Sequence, residues 1–212
     1  MKQDLPIAER LRLHELWLKT LGGDGTRLNL SGKVVRDSRL REAVLVGAQL
    51  HDADFRHADL MHANLAGANL GHTDLRNAGL EETDLCAANV SGAKLRGAML
   101  AKANLQRAQL AFSDLRDAIL TRANLTSADL RGTNLQGVNM DHAILRNANM
   151  SGADLRGASL KGADFGYAEL LGINLKDASF DENTSFKNAI INADDFKTVD
   201  LTPLKEENRP RL

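Results

Sequence analysis

Apolar residues recur at every fifth position along most of this chain. From Leu40 to Phe180 the series has 29 members, of which 23 are Leu and none is polar. Two residues before each member stands a residue that is nearly always small and is Ala in 22 cases, and the residue between the two is Asp or Asn in 17 cases. The repeating unit is therefore Ala-(Asp/Asn)-Leu-x-x, with the leucine as its central residue.

A period of five fits neither a helix nor a flat strand. Five steps of about 100° would carry successive leucines roughly 140° around a helix axis. In a strand, an odd period would send them alternately to opposite faces, so that half of them would lie in water. A turn in every unit removes both conflicts, because Ala and Leu then face inward while the other three residues face out. Stacked coils of this kind predict an all-β solenoid with one continuous core.

The outer and inner positions both support coiling. Ten glycines, among them Gly92 and Gly132, stand two residues after a central residue, where they ease a tight turn. The Ala beside each Leu indicates a narrow interior that a larger side chain would overpack. Tandem runs such as Ala58-Asp59-Leu60 resemble those of the pentapeptide-repeat family over roughly Leu28 to Leu201. That resemblance implies a right-handed quadrilateral β-helix with four pentapeptides per coil, in which residues 20 apart would stack.

Distinct sequences flank the repeats. Residues 1–25 are expected to form an N-terminal α-helical cap and a linker, because the helix would begin after Pro6 and stop before Gly22. His14 lies on the apolar side of this helix, where a core or boundary histidine is expected. The apolar side itself consists of Ile7, Leu11, Leu13, Trp17, Leu18 and Leu21.

The β-helix is expected to cover residues 26–202, with one irregularity. The step from Phe180 to Phe186 is six residues, so a register slip is expected at 181–185, where the chain should bulge outward. Asp194 then falls at an inward position, which predicts that the last coil is distorted or open to water. The charged tail at 203–212 is expected to be disordered.

The composition excludes several classes of protein but does not indicate a function. Lys and Arg total 27 against 28 Asp and Glu, which gives a net charge of −1 and no bulk attraction to nucleic acid or acidic membranes. Cys86 is the only cysteine, so an internal disulfide framework is excluded. The sequence from Met1 to Leu21 lacks the apolar run of a signal peptide, and a cytoplasmic protein is expected.

With four units per coil, one column of outer residues is basic at seven of eight positions, Gln136 being the exception. Like charges stacked at coil spacing repel each other, but aspartates accompany them in the same units. Two interpretations stay open: a self-neutralising surface ladder, or a docking stripe for an acidic partner. The basic members are Arg36, Arg56, Arg76, Arg96, Arg116, Arg156 and Lys176.

Two exposed apolar residues are a second candidate contact. Met99 and Ile119 would stack one coil apart, and such patches mark interfaces, although single apolar residues are ordinary on surfaces. His51, Asp52 and His72 would come close on one side, but three exposed ligands are a weak signal and no metal site is predicted. No catalytic or cofactor-binding site is predicted either, because a filled interior leaves no pocket that excludes water.

These patterns predict a non-enzymatic scaffold that binds another protein along an outer face. Self-association, end to end or face to face, is also open. The family resemblance implies an alternative, since some pentapeptide-repeat proteins resemble B-form DNA, bind DNA gyrase or topoisomerase IV and protect them against inhibitors. The net charge of −1 departs from that subgroup, as does the lack of an apolar C-terminal helix for dimerisation. Direct nucleic-acid binding is disfavoured, because alternating aspartates would oppose phosphates.

Overall fold

The computed structural model describes residues 5–197 and 199–210 and shows coils of 20 residues, each made of four pentapeptides. Isolated parallel bridges join residues 20 apart, from Asn29 and Gln49 to Ser159 and Ser179. Regular strands are short because a turn interrupts the chain in every pentapeptide. Among the described residues, only β1 (Glu169–Leu170) and β2 (Ile190–Ile191) extend over two residues, and they pair in parallel.

Each pentapeptide ends in a β-turn whose third residue has a positive φ. In the turn that follows Leu45, the Ala48 N–H donates to the Leu45 carbonyl at 3.0 Å, and Gly47 has a φ of 63°. This is the pattern of a type II turn, which glycine adopts most easily. Residues with side chains adopt the same conformation at this position elsewhere, for example Phe112 and His142. Glycine is therefore favoured in the turn without being required by it.

The preference for Asp or Asn before the central residue has a local cause. The side-chain oxygen accepts a hydrogen bond from the backbone N–H two residues later. Asn64 Oδ1 accepts from the Ala66 N–H at 3.0 Å, and Asp84 Oδ1 accepts from the Cys86 N–H at 3.0 Å. This contact is the Asx turn, which holds the chain at the start of each bend.

The core is a stack of central residues with small residues beside them. Leu100 is 1% exposed and Ala98 is fully buried, and this alternation continues from coil to coil. Where a small hydroxyl residue replaces Ala within the stack, the hydroxyl has a partner: Thr73 Oγ1 donates to the Leu70 carbonyl at 2.6 Å. Ser38 in the first coils is the exception, since its buried Oγ has no partner among the described residues.

Helix α1 (Ile7–Lys19) packs at the first coils, where Ile7 and Leu11 contact the core. His14 is fully buried, and its Nδ1 accepts a hydrogen bond from the Leu28 N–H at 3.1 Å. The expectation that Leu21 shares the buried side is wrong. Leu21 is 96% exposed, because the helix ends before it and its φ is 52°.

Acid should loosen α1 through His14. Burial lowers the pKa of His14, and the positive charge of Arg27 lowers it further. The Val46 carbonyl and the negative charge of Glu15 raise it in part. A neutral ring is also needed to accept the Leu28 N–H. Because the folded-state pKa lies below the unfolded value of about 6.5, stability from this site is complete above that pH and is lost as pH falls. We expect Trp17 fluorescence to show an acid transition below about pH 6.5 that His14→Gln removes; a transition that survives the substitution would refute this assignment.

The register slip is an insertion of one residue. Asp164 pairs with Ser185, which is 21 residues later, and Asp181 Oδ1 accepts the N–H groups of Gly162 and Asn183. The sequence predicted that the whole of 181–185 would bulge outward, and this is wrong for one residue. Thr184 is fully buried, and its Oγ1 donates to the Leu160 carbonyl at 2.9 Å, so this residue takes the place of the inward small residue.

Beyond the slip, irregular structure covers the end of the core. Helix α2 (Ala193–Phe196) replaces a pentapeptide, so Asp194 is exposed while Phe196 is buried. The expected disorder of the tail is not found at 203–210, where Leu204 is 3% exposed and the Phe186 N–H donates to the Asn208 carbonyl at 2.8 Å. A 3₁₀ helix spans Glu206–Asn208. Residues 211–212 of the predicted tail lie outside the described residues.

Candidate interaction faces

Stacking of identical coils gives the rod four long faces, and the outer side chains of each face align in columns of residues 20 apart. Three outer positions make up each face: the residue immediately before a central residue, the residue immediately after it, and the residue three positions before it. Two faces carry the candidate residues. The arginine face is centred on every twentieth residue from Val35 to Leu175, and the methionine face is centred on every twentieth residue from Leu40 to Leu160.

On the arginine face, each arginine of the basic column is bound to an aspartate. Arg76 donates from Nε and Nη2 to the two carboxylate oxygens of Asp74 at 2.8 and 2.6 Å, and the same two-point contact joins Arg56 to Asp54. The remaining pairs are Arg36 with Asp54, Arg96 with Asp117, Arg116 with Asp114, and Arg156 with Asp154. The guanidinium groups are thus already occupied, and repulsion within the column is offset.

These contacts alter the acid chemistry of the aspartates. The side-chain hydrogen bond from Arg76 holds the pKa of Asp74 below its usual value, and Arg116 acts in the same way on Asp114. Partial burial works against both shifts. Because the folded-state pKa values are lowered, the stabilisation is present above about pH 4 and is lost as pH falls below it.

Removing two arginines should test whether the ladder is structural. We expect Arg56→Gln together with Arg76→Gln to lower the melting temperature at pH 7 by only about 2 to 4 °C, because the pairs are half exposed and screened by water. The difference from the unchanged chain should shrink in 1 M salt, and it should shrink as pH falls below about 4 without vanishing at pH 2, because the side-chain hydrogen bond from Arg56 holds the pKa of Asp54 far below its usual value. A loss that is the same in 1 M salt would mean that packing of the arginine stems, rather than the ion pairs, stabilises the face.

The methionine face has an apolar patch at its middle. Met99 and Ile119 are bridged partners one coil apart and are 40% and 41% exposed. Met61 lies on the same face within contact distance of Gly79, in the coils below. The sequence analysis missed Met61, although the 20-residue period that aligned Met99 with Ile119 could also have placed Met61 on this face.

Charged residues border the apolar patch. Lys102 Nζ donates to Glu82 Oε1 at 2.8 Å, and His62 Nδ1 lies 3.4 Å from Glu82 Oε2. Glu81 Oε2 is buried and has no hydrogen-bond partner among the described residues. A buried carboxylate oxygen without a donor is costly, so the Glu81 side chain, which leans over Gly79, would gain by moving out to a cation.

Other candidates are not brought together into a site. His51 Nδ1 lies 2.9 Å from Ser31 Oγ, and no three metal-ligating residues cluster anywhere in 5–197 or 199–210. Phe112 is 76% exposed, but its ring leans over Gly132 on a different side of the rod from the methionine patch. Within the same described ranges, no helix is long and apolar enough to cross a membrane.

A parallel coil of four pentapeptides, with turns at positive φ and a column of leucines inside, defines a β-helical solenoid. The pentapeptide repeat family model matches eight copies, over residues 26–60, 63–100, 103–141 and 123–162. The chain therefore belongs to the pentapeptide repeat family, as the tandem units predicted.

Solved structures of one protein, QnrB1, show the same fold at low sequence identity. A trypsin-treated variant of QnrB1, a plasmid-mediated fluoroquinolone resistance protein, is 19% identical with a TM-score of 0.71, covering 84% of this chain and 87% of that protein. Full-length QnrB1 is 21% identical with a TM-score of 0.62, covering 84% and 91%. HetL from the cyanobacterium Nostoc is 29% identical over 84% and 89%, with a TM-score of 0.30. No curated protein sequence matches the chain.

Proposed function

We propose that this protein is a non-enzymatic scaffold that binds another protein along its methionine face. The observation that carries the proposal is the stacked, half-exposed pair of Met99 and Ile119 at the middle of a face whose edges are charged. An apolar centre with a polar rim is the common arrangement of protein interfaces. Helix α1 serves in this proposal as the cap of the N-terminal end, and the coil winds to the right as the family resemblance implies.

The arginine face is the weaker of the two sequence candidates. A docking stripe for an acidic partner needs guanidinium groups that are free to bind, but those from Arg36 to Arg156 already contact aspartates of this chain. A partner would have to displace these contacts before gaining its own, which reduces the net affinity of such a site. The column therefore favours the self-neutralising interpretation.

A capture experiment separates the two faces. We expect Met99→Asp together with Ile119→Asp to abolish capture of the partner from host lysate, because the partner would have to bury two carboxylates. Ile144→Asp is the matched control, since Ile144 is 40% exposed at the equivalent position on another side of the rod. Arg56→Gln with Arg76→Gln should leave capture unchanged. Capture that fails with the arginine variant and survives the methionine variant would reverse the assignment.

DNA mimicry is the second candidate function, and the likeness of fold to QnrB1 favours it. Charge argues against it, because mimicry of DNA needs a continuous negative surface. The arginine face carries seven basic residues in one column, and the methionine face mixes Glu82 with Lys102. Protection of gyrase supercoiling against a fluoroquinolone would support this alternative, and loss of protection after Arg56→Gln with Arg76→Gln would place the basic column in the contact.

A further inference from the structure

The methionine face has a pattern of large and small residues that suits one particular occupant. Its middle coil is centred on Leu100, and Met99 stands at the middle of the face. Ile119 is one coil above Met99 in the same column, and Gly79 is one coil below it. A projecting side chain and a position without one thus lie at equal distances from Met99, in opposite directions. The flexible Glu81 side chain leans over that glycine, with its Oε2 3.3 Å from the point where a Cβ would stand.

We propose that the protein bound by the methionine face is a second copy of this chain, antiparallel to the first about a two-fold axis through Met99. This inference rests on the proposed function and names its partner. A two-fold axis perpendicular to a face reverses both its long and its short direction, so every contact occurs twice. Met99 then packs on Met99 of the second copy, and Ile119 of each copy takes the space above Gly79 of the other as the Glu81 side chain swings aside.

The two-fold axis also brings complementary residues opposite each other at the edges of the methionine face. Met61 comes opposite Gly137 of the second copy, which again places a long apolar side chain over a glycine. Asp37 comes opposite Lys161, and His57 comes opposite Asp141, so exposed charges meet charges of opposite sign or a group that can become positive. Complementary charges at the rim fix the register of such a contact more than they strengthen it.

Two acidic residues also face each other, because Glu81 comes opposite Asp117 of the second copy. Asp117 is not a free acid, since Arg96 Nε donates to its Oδ2 at 3.2 Å. The Glu81 carboxylate, once displaced from Gly79, would meet the Arg96 guanidinium, and its Oε2 has no partner among the described residues. A guanidinium between two carboxylates satisfies both, so the second copy supplies the donor that Glu81 lacks.

Other arrangements of two copies are less favourable. A parallel pair joined by the methionine face would set Asp59 against Asp59 and Arg39 against Arg39, because each residue of the middle column would meet itself. An antiparallel pair joined by the arginine face, with its axis through Asp114, would set Asp114 against Asp114 and Asp74 against Asp154. Like charges that face each other across an interface are penalised. The antiparallel methionine pair avoids this cost.

The size of the face predicts a modest affinity. Stacked coils lie about 4.8 Å apart, and one side of so thin a rod is at the low end of specific interfaces. Association should therefore depend on concentration in the micromolar range rather than being permanent.

Sedimentation velocity of the purified full chain tests the association. Between roughly 1 and 100 µM, we expect the mass to rise from 23.0 kDa toward twice that value. Met99→Asp should weaken association at least about tenfold, while Ile144→Asp, equally exposed on another side, should leave it unchanged. A chain that stays monomeric throughout, or a Met99→Asp chain that associates normally, would overturn the proposal.

Cysteine cross-linking tests the orientation in a Cys86→Ser background, which removes the only native cysteine. Antiparallel pairing brings position 59 opposite position 139, so mixing Asp59→Cys with Asn139→Cys should give a disulfide-linked dimer. Neither variant alone should cross-link. Asn139→Cys dimers formed without the other variant would indicate parallel copies, and no disulfide in the mixture would move the contact to another face; both results contradict the proposal.

These experiments also distinguish failure of the second-copy inference from failure of the proposed function. If the purified chain is monomeric but a different host protein is captured in a Met99-dependent way, the methionine face binds protein and the second copy is not its partner. If neither association nor Met99-dependent capture occurs, both proposals fail together.

Discussion

Leu100→Asp should unfold the rod at ordinary temperatures. Leu100 is 1% exposed at the middle of the stack, so the substitution removes a buried apolar side chain and places a carboxyl group where no donor faces it. Loss of the leucine packing costs about 2 to 5 kcal/mol, and burial of an unpaired polar group adds about 1 to 3 kcal/mol. A sum of this size approaches the whole stability of many domains.

The neighbouring residue supplies a control for this experiment. Met99→Asp introduces the same side chain one position earlier, where the residue is 40% exposed, and should change the melting temperature of the monomer little. Ala98→Phe should also unfold the chain, because Ala98 is fully buried beside Leu100 and a phenyl ring would overpack the interior. Melting is followed by circular dichroism; equal melting temperatures for the Leu100 and Met99 variants would mean that the two side chains do not differ in burial.

Most of the coil could be predicted because the pattern repeats. One unit such as Ala98 to Leu100 is short and ambiguous, but 29 units in register can all bury their leucines if the chain bends once per unit; the four units per coil came from the family resemblance. The inward position of Ala and Leu, the turn in each unit and the slip after Phe180 all follow from that constraint. The Asx contact of Asn64 was not predicted, because sequence spacing does not show which backbone N–H a side chain reaches.

Prediction succeeded only in part where the repeat stops. Asp194, which counting placed at an inward position, led to the expectation of a distorted or open last coil; α2 replaces the turn there, and the helix N-cap at Asn192 accepts the Asp194 N–H. The tail was expected to be disordered from its charges, yet Leu204 packs against the core. The exposed end of a solenoid must be covered by something, and a single apolar residue among charges is a weak sign of it.

The candidate faces were predictable as columns but not as sites. The 20-residue period placed Arg56 above Arg36 and Ile119 above Met99. Whether the arginines were free depended on side-chain geometry, and the two-point contact of Arg56 with Asp54 decided that question. A column found from sequence therefore identifies which residues are neighbours, whereas their contacts determine what they can bind.

An aromatic cluster closes the C-terminal end of the core, and its centre is Phe186. The Phe186 ring stacks on Phe165 with centroids 4.8 Å apart, and it meets the edges of Phe180 and Phe196 at 5.6 Å. Phe186 is also the first central residue after the slip, and its N–H donates to Asn208 in the covering segment. One side chain thus joins the last regular coil, the irregular turn and the tail.

Phe186→Ala should cost about 3 to 5 kcal/mol, since it leaves a cavity and removes three aromatic contacts. Each coil of a solenoid is stabilised by contacts with its direct neighbours only. The loss should therefore appear first as opening of residues beyond the slip, while the middle coils stay protected from hydrogen exchange. Hydrogen exchange should show faster exchange at Thr184 and Ala189 than at Ala98. Ile190→Ala, which truncates a 52% exposed residue at the same end, should change little. Equal exchange in both variants would mean that the aromatic cluster does not hold this end closed, and a uniform rise along the whole rod would mean that the coils unfold as one cooperative unit.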